Sequence, residues 1–308
     1  MKKNTQLISL TKFWANKKVF ITGHTGFKGT WLCVVLKMLK SEIHGYSLRP
    51  KKTSLFNQSK ISANLTSNIF ADINNIKLLQ KEIIRVKPEI IFHLAAQPIV
   101  LESYKNPVET FRTNIMGTVN LLNSIKNIKS IKSVVIITTD KVYKINKNND
   151  SYKEDDLLGG FDPYSTSKVA VELIVDCYIK SFFKKSNLKD KISTARAGNV
   201  IGGGDYSKDR LVPDIIQSIN NNKKLIVRNP SYVRPWQHVI EPLIGYLLLA
   251  ESQYNNLKNK NHSWNFGPSI DNFKKVNEVI NIMKGFKNFN YIIDKSNQLK
   301  ETKILRLN

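Results

Sequence analysis

Cysteine is almost absent from this chain. Only Cys33 and Cys177 occur in 308 residues, each inside a helix-like pattern. Two such residues build neither a disulfide framework nor a metal site, so no metal is expected. Reduced thiols of this kind fit a cytoplasmic address. Long apolar runs are missing as well: the stretch from Leu243 to Ala250 already contains a glycine and a tyrosine. A membrane span needs roughly 20 apolar residues, so none is expected. The opening MKKNTQLISLTKFWANKK lacks a sustained apolar core, and no secretory signal is read from it. Acidic residues are scarce, 24 against 48 lysines and arginines, for a net charge of +24. That excess suits a polyanionic partner. The cations are spread evenly, however, with no basic tail and no basic stripe carrying interleaved aromatics, so nucleic acid is not the expected partner. A positive field still favours the approach of a small polyanion.

What is present is enough apolar material for a real core, 41% hydrophobic and 9% aromatic. The length suits one doubly wound α/β unit with a modest second lobe. Short apolar runs alternate with helical spacing. KKVFITG (17–23) reads as a strand, 27–39 as a helix, 42–47 as a strand and 48–68 as polar and irregular. A third strand ends at 69–72, followed by a helix over 74–86. Strands EIIFHLAA and SVVIITTD (133–140) enclose a long helix over 107–126. A helix over 163–183 precedes the strand KISTARAG (191–198), and GGGD (202–205) reads as a loop. Helices over 211–220 and 240–253 and a strand at WNFGP (264–268) follow; beyond 269 the pattern fades. Asn/Lys-rich stretches at 144–149 and 255–261 read as surface loops. Strands alternating with helices predict a Rossmann-type parallel sheet covered on both faces. Residues 1–190, with strand 191–198 returning to the sheet, form the expected dinucleotide-binding domain. Residues 199–308 form an interleaved, smaller substrate lobe.

Between the first strand and first helix lies Thr22-Gly23-His24-Thr25-Gly26-Phe27-Lys28-Gly29, a G-x-x-G-x-x-G spacing. Gly23 permits a tight turn, Gly26 lets backbone approach a pyrophosphate, and Gly29 lets helix pack on strand. The helix N-terminus then faces the phosphates. Asp72 follows the third strand and reads either as a cofactor contact or as a cap of the next helix. His93-Leu94-Ala95-Ala96-Gln97 follows the fourth, where small residues leave room at the sheet's switch point. Tyr164 and Lys168 stand four apart, one turn of a helix, so a lysine ammonium and an oxidised nicotinamide ring could together lower the phenol from about 10. Thr139-Asp140-Lys141 ends the fifth strand, and Asn114 sits in the long helix.

Taken together, GHTGFKG (23–29), FHLAAQP (92–98), TTDK (138–141), GGFDPYSTSK (159–168), RAGNVIGGGD (196–205), RPWQHV (234–239) and WNFGP (264–268) resemble the extended short-chain dehydrogenases/reductases. Within them the chain is most similar to the nucleotide-sugar 4,6-dehydratases, in the branch acting on CDP-glucose. The resemblance runs from Phe13 to about Phe266. It implies NAD as cofactor, held by Thr22, Gly23, His24, Gly26, Phe27, Lys28, Gly29, Asp72, Ile73, Leu94, Ala95, Ala96 and Asn114 together with Tyr164 and Lys168. It implies that Tyr164 takes the proton of the sugar 4-hydroxyl, that hydride leaves C4 and returns to C6, and that water is lost across C5–C6. Thr139 would bond the 4-oxygen and Asp140 would protonate the leaving 6-hydroxyl. Lys141 stands where the dTDP-glucose branch has a glutamate that acts as base at C5, and a lysine does this only when neutral.

The resemblance places Gln97, Ser103, Arg196, Asn199, Arg234 and His238 around the nucleotide sugar. It also implies a homodimer through the helices at 107–126 and 163–183. Two departures stand out. Leu101 occupies a position where the family pattern has a basic residue, and the chain ends at ETKILRLN, where relatives continue for several helices, so a shortened final lobe is expected. The second strand ends Gly45-Tyr46-Ser47-Leu48-Arg49 without the carboxylate that usually reads an NAD ribose, and Ser47 with Arg49 could instead accept a 2′-phosphate, as in NADP, whereas the resemblance implies NAD. Other readings compatible with the motifs are another nucleotide-sugar dehydratase, a 4-epimerase, or an NAD-binding protein without activity.

Overall fold

The computed structural model describes residues 11–145, 151–257, 261–269, 272–294 and 303–308. Of the two Asn/Lys-rich stretches expected as loops, residues 146–149 and 258–260 lie outside these. Seven parallel strands form the central sheet: β1 (Lys18–Thr22), β2 (Glu42–Ser47), β3 (Ser67–Phe70), β4 (Ile90–His93), β5 (Ser133–Ile137), β6 (Ile192–Ala197) and, late in the chain, a strand at Ser263–Phe266. Read across the sheet, the Ser263–Phe266 strand comes first, then β6, β5, β4, β1, β2 and β3. Order reverses between β1 and β4, which pair Val19 with Ile90. At such a switch point two crossovers leave on opposite faces and open a crevice above the strand ends.

The side-chain alternation of the strands decides the layers. Val19, Ile21, Phe92, Val135 and Ile137 face one core, against Leu32 and Leu36 of helix α1 (Phe27–Met38) and Leu243 and Leu247 of a helix at Ile240–Tyr254. Phe20, Ile91, Val134 and Ile136 face the other. That second core is closed by Leu79 and Ile83 of α2 (Ile76–Val86), Leu121 of α3 (Gly117–Ile125) and Val171 of α4 (Pro163–Tyr178). Both faces are covered, as the run of apolar residues requires.

Several boundaries differ from the sequence reading. β3 stops at Phe70, and α2 starts at Ile76 because the Asn75 side chain accepts the Leu78 N–H at 3.2 Å. The long helix over 107–126 is continuous but contains a π turn at Arg112–Met116. α4 likewise ends in a π turn at Ile179–Phe183. The stretch 48–68 contains a short helix at Leu55–Gln58 and a 3₁₀ turn at Ile61–Asn64. Beyond 269, where no pattern was legible, a strand at Phe273–Lys275, a helix at Val276–Phe286 and a strand at Tyr291–Ile293 form a small lobe with α5 (Leu211–Asn220). Its core is Ile215, Leu225, Val227, Ile280 and Phe289. The Val276–Phe286 helix turns Ile280 onto that core with Val276 and Met283 beside it, a helical spacing of four and three that the sequence carries.

Candidate active site

A cleft of about 760 Å³ opens above the C-terminal ends of β1, β4 and β5. Its floor is the glycine loop. Gly23 has φ +77° and donates its N–H to Tyr46 O at 2.9 Å; a Cβ there would stand 2.6 Å from Ala95 N. A Cβ on Gly29 would overlap the Gly23 carbonyl oxygen. Gly26 starts α1 without a side-chain cap, so backbone N–H groups at the helix start face the cleft. Gly23, Gly26, Phe27, Lys28 and Gly29 line it, as do Asp72, Ile73, Leu94, Ala95 and Ala96. A flat loop, an uncapped helix start and small residues opposite make a cradle that fits a dinucleotide pyrophosphate.

Three residues expected to hold the cofactor lie outside this lining. Thr22 is buried beneath the loop, its hydroxyl 2.7 Å from His93 Nδ1 and accepting the Ala95 N–H at 3.3 Å. His24 is turned into the sheet, where Nε2 lies 2.8 Å from Asn68 Oδ1 and the ring stacks on Phe70. Asn114 spends its amide on the Gln97 main chain and on Ser167 Oγ at 2.8 Å. Asp72 lines the cleft, but its carboxylate accepts the Asn74 N–H at 2.8 Å and pairs with Arg112 at 3.3 Å. It therefore closes a turn, and the helix cap is Asn75.

Opposite the loop stand Thr139, Asp140, Lys141, Tyr164 and Lys168, all lining the cleft. Pro163 and a capping box between Asp162 and Ser165 fix the start of α4. The Tyr164 N–H is held by Ser103 Oγ at 3.1 Å. Thr139 Oγ1 donates to Asp140 Oδ1 at 3.0 Å and is also hydrogen-bonded with the Tyr164 phenol. Lys168 Nζ donates to Ile137 O at 3.0 Å. Burial lowers Lys168 to about 8, and Glu172 opposes it. Burial also pushes the Tyr164 phenol up to about 12; the Thr139 hydrogen bond lowers it, Asp140 raises it and Arg210 lowers it. The depression expected from Lys168 is therefore not delivered by the protein alone. Asp140 is buried, and its Oδ2 has no partner among the described residues. Burial raises its pKa, against the pull of Lys141, Thr139, Arg234 and Lys28. A carboxyl whose neutral form is favoured by burial is suited to act as an acid.

Of the residues expected around the substrate, Asn199 and Arg234 line the cleft. Arg234 is buried and anchored on Val233 O at 2.9 Å. The other four lie outside the lining. Ala197 lines the cleft, so its strand neighbour Arg196 faces the opposite side; there it pairs with Glu172 at 2.8 Å and donates to Tyr143 Oη at 2.9 Å. Gln97 folds back on Ile99 N at 2.6 Å and Thr110 Oγ1 at 2.9 Å. Ser103 is buried under Tyr164 and donates to Val100 O at 2.6 Å. His238 is exposed against the edge of Trp31 and accepts the Ile240 N–H at 3.3 Å. Leu101 lines the cleft.

Sequence reasoning did not assign Arg210 a role. It lines the cleft, pairs with Asp205 at 3.0 Å, and is felt by both Lys28 and Tyr164. Its signal was its place shortly after GGGD. Lys28 is lowered to about 8, first by burial and then by Arg210.

The model of the NAD dependent epimerase/dehydratase family matches residues 19–267. The CDP-glucose 4,6-dehydratase of Salmonella typhimurium is 43% identical over 96% of this chain and 84% of that protein. A dTDP-D-glucose 4,6-dehydratase of Dictyostelium discoideum is 27% identical over 86% of this chain and 62% of that protein. Among solved structures, the dTDP-glucose 4,6-dehydratase of Bacillus anthracis in complex with NAD superposes with a TM-score of 0.78 at 22% identity, covering 95% of this chain and 87% of that one. The UDP-glucose 4-epimerase of Thermotoga maritima with UDP-glucose gives 0.78 at 19% identity, covering 94% and 89%. At these identities the structural likeness establishes the Rossmann-type fold.

Proposed function

The chain belongs to the NAD dependent epimerase/dehydratase family, and we propose that it is a CDP-glucose 4,6-dehydratase, converting CDP-D-glucose to CDP-4-dehydro-6-deoxy-D-glucose and water. The observation that carries the dehydratase reading is Asp140, a buried carboxyl with a raised pKa bonded to Thr139, which in turn bonds Tyr164. A 4-epimerase leaves the 6-hydroxyl in place and needs no such acid. The similarity to the Salmonella enzyme supports CDP-glucose as the nucleotide sugar.

NAD, when bound, supplies the hydride acceptor at C4 and the donor to C6, so no external reductant is consumed. Tyr164 takes the 4-hydroxyl proton while Thr139 orients that oxygen. Tyr164, pushed up to about 12 by burial, would be lowered by the positive charge of an oxidised nicotinamide ring held beside it. A 4-keto group acidifies C5–H, and Lys141 is the residue assigned to that proton. Asp140, whose neutral form burial favours, gives its proton to the departing 6-hydroxyl, which leaves as water. Arg234, Arg210 and Asn199 suit the diphosphate side of the cleft, because a guanidinium presents planar, permanently charged donors. The nucleotide sugar sits between the strand ends of the sheet and the small lobe of α5 and the Val276–Phe286 helix; the Ile240–Tyr254 helix and the Ser263–Phe266 strand, expected in that lobe, pack with the sheet instead.

Exposed apolar residues on the dimer-expected helices, Val108, Met116, Leu173 and Phe182, support a homodimer through that face. No described helix is long and apolar enough to cross a membrane, and free Cys33 and Cys177 support a cytoplasmic site of action. The test is incubation with CDP-glucose, UDP-glucose and dTDP-glucose in turn, with and without added NAD. Appearance of the alkali-induced 4-keto chromophore from CDP-glucose is the expected result. Epimerised sugar with no keto product would overturn the dehydratase reading, and preference for another nucleotide would overturn the substrate.

A further inference from the structure

We propose that the adenosine end of the cleft accepts a 2′-phosphorylated dinucleotide, NADP(H), as well as NAD, and that Arg49 receives the phosphate. This rests on the dinucleotide reading of the cleft given above. In such folds the ribose beside the glycine loop is read from the end of the second strand, by a carboxylate in NAD sites or an arginine in NADP sites. Here β2 ends at Ser47, and the cleft beside it is lined by Thr25, Ser47, Leu48, Arg49 and Lys51. None of these carries a negative charge. Asp72 belongs to the turn after β3 and faces Arg112 at 3.3 Å. The remaining carboxylates of the lining, Asp140, Asp205, Asp209 and Asp214, come from the β5 end and the later lobe.

The hydroxyl pair explains how an unphosphorylated ribose is held without a carboxylate. Thr25 Oγ1 donates to Leu48 O at 3.0 Å and lies 2.8 Å from Ser47 Oγ. The Thr25 proton is therefore committed, and Ser47 donates to Thr25. Ser47 lines the cleft, and its hydroxyl oxygen remains a neutral acceptor for a 2′-hydroxyl. A neutral acceptor does not repel a phosphate as a carboxylate would.

Arg49 supplies the attraction. Its side chain makes no ion pair with a carboxylate among the described residues, and its guanidinium carbon stands 5.2 Å from the Phe70 ring centre. Phe70 stacks on His24 at 6.4 Å, and His24 is bonded to Asn68 at 2.8 Å. The arginine thus rests on an aromatic platform fixed to β3, with its fork of donors available for a dianion. Lys51 adds a second cation on the same side.

Calorimetric titration of the apoprotein with NAD, NADP, 5′-AMP and adenosine 2′,5′-bisphosphate tests this. NADP is expected to bind within about tenfold of NAD, and the bisphosphate more tightly than 5′-AMP. Arg49→Ala should lower the NADP-to-NAD affinity ratio by about tenfold or more, the scale of lost charge-assisted hydrogen bonds. NADP weaker than NAD by about a hundredfold in the unaltered protein, or an unchanged ratio in Arg49→Ala, overturns the proposal. NAD binding without NADP sinks this inference alone, whereas failure of both dinucleotides sinks it together with the cofactor reading.

Discussion

Arg196 and Glu172 meet at 2.8 Å with side chains only 4% and 3% exposed. Glu172 also accepts from Thr138 at 2.5 Å and Thr194 at 2.6 Å, and it lies one helical turn beyond Lys168. The pair therefore ties α4, which carries Tyr164 and Lys168, to β5 and β6. Breaking it leaves a buried charge unmatched. Arg196→Met should cost about 3–5 kcal/mol of stability, the range for one-sided loss of a buried ion pair. Urea unfolding measures this; a loss well under about 1 kcal/mol would show that the pair behaves as a surface one.

Tyr164→Phe should abolish turnover while leaving the melting temperature nearly unchanged. The ring stays in place and only the hydroxyl is lost, together with its bond to Thr139. Near-normal turnover in this variant would remove Tyr164 from the chemistry.

Asp140→Asn should separate oxidation from dehydration. Cofactor reduction should be seen at 340 nm with substrate, while product falls by about 10²–10⁴-fold, the usual worth of general acid catalysis. The same substitution should raise thermal stability at pH 7. Asp140 has its folded pKa raised by burial, so the fold is penalised once the unfolded carboxyl ionises above about pH 4. The gain should vanish at lower pH, where both states are protonated. Equal stability of the two proteins at pH 7 would contradict the raised pKa.

Acid should also act through His93. Its ring lies 2.7 Å from Thr22 Oγ1 on one side and 3.0 Å from Thr118 Oγ1 on the other. Thr118 donates to Asn114 O at 2.8 Å, so Nε2 carries the proton and Nδ1 accepts from Thr22. Burial pushes this imidazole down to about 3, and Lys168 adds to the shift. The unfolded histidine takes a proton near pH 6.5 and the folded one does not. Stability should therefore fall as pH drops from about 6.5 towards 3. His93→Gln, which can accept from Thr22 and donate to Thr118, should lessen that fall in thermal melts. An identical acid profile would show that other groups control it.

Much of this was legible in the sequence because the spacing of glycines, the Tyr164–Lys168 interval and the strand ends are local. Unbroken apolar runs along β1, β4 and β5 announced a sheet covered on both faces. What local reading missed was direction. Arg196 sits in a motif beside Ala197, yet strand alternation turns it away from the cleft. His24 lies inside the glycine loop, but Gly45 leaves the space that its ring fills; a Cβ there would stand 2.5 Å from the ring. Gln97, Ser103 and Asn114 are polar residues near the site whose partners lie elsewhere in the chain. The late lobe escaped because its strands, Phe273–Lys275 and Tyr291–Ile293, are only three residues long, too short to show an alternation, although Val276, Ile280 and Met283 keep helical spacing.

The central claim is that the hydrogen removed from C4 returns within the same molecule to C6. The direct test is CDP-glucose carrying deuterium at C4, incubated with the protein in ordinary water and analysed by NMR. Deuterium in the C6 methyl group of a 4-keto product is the expected result. Deuterium lost to solvent, or retained at C4 of an unchanged or epimerised sugar, would contradict it.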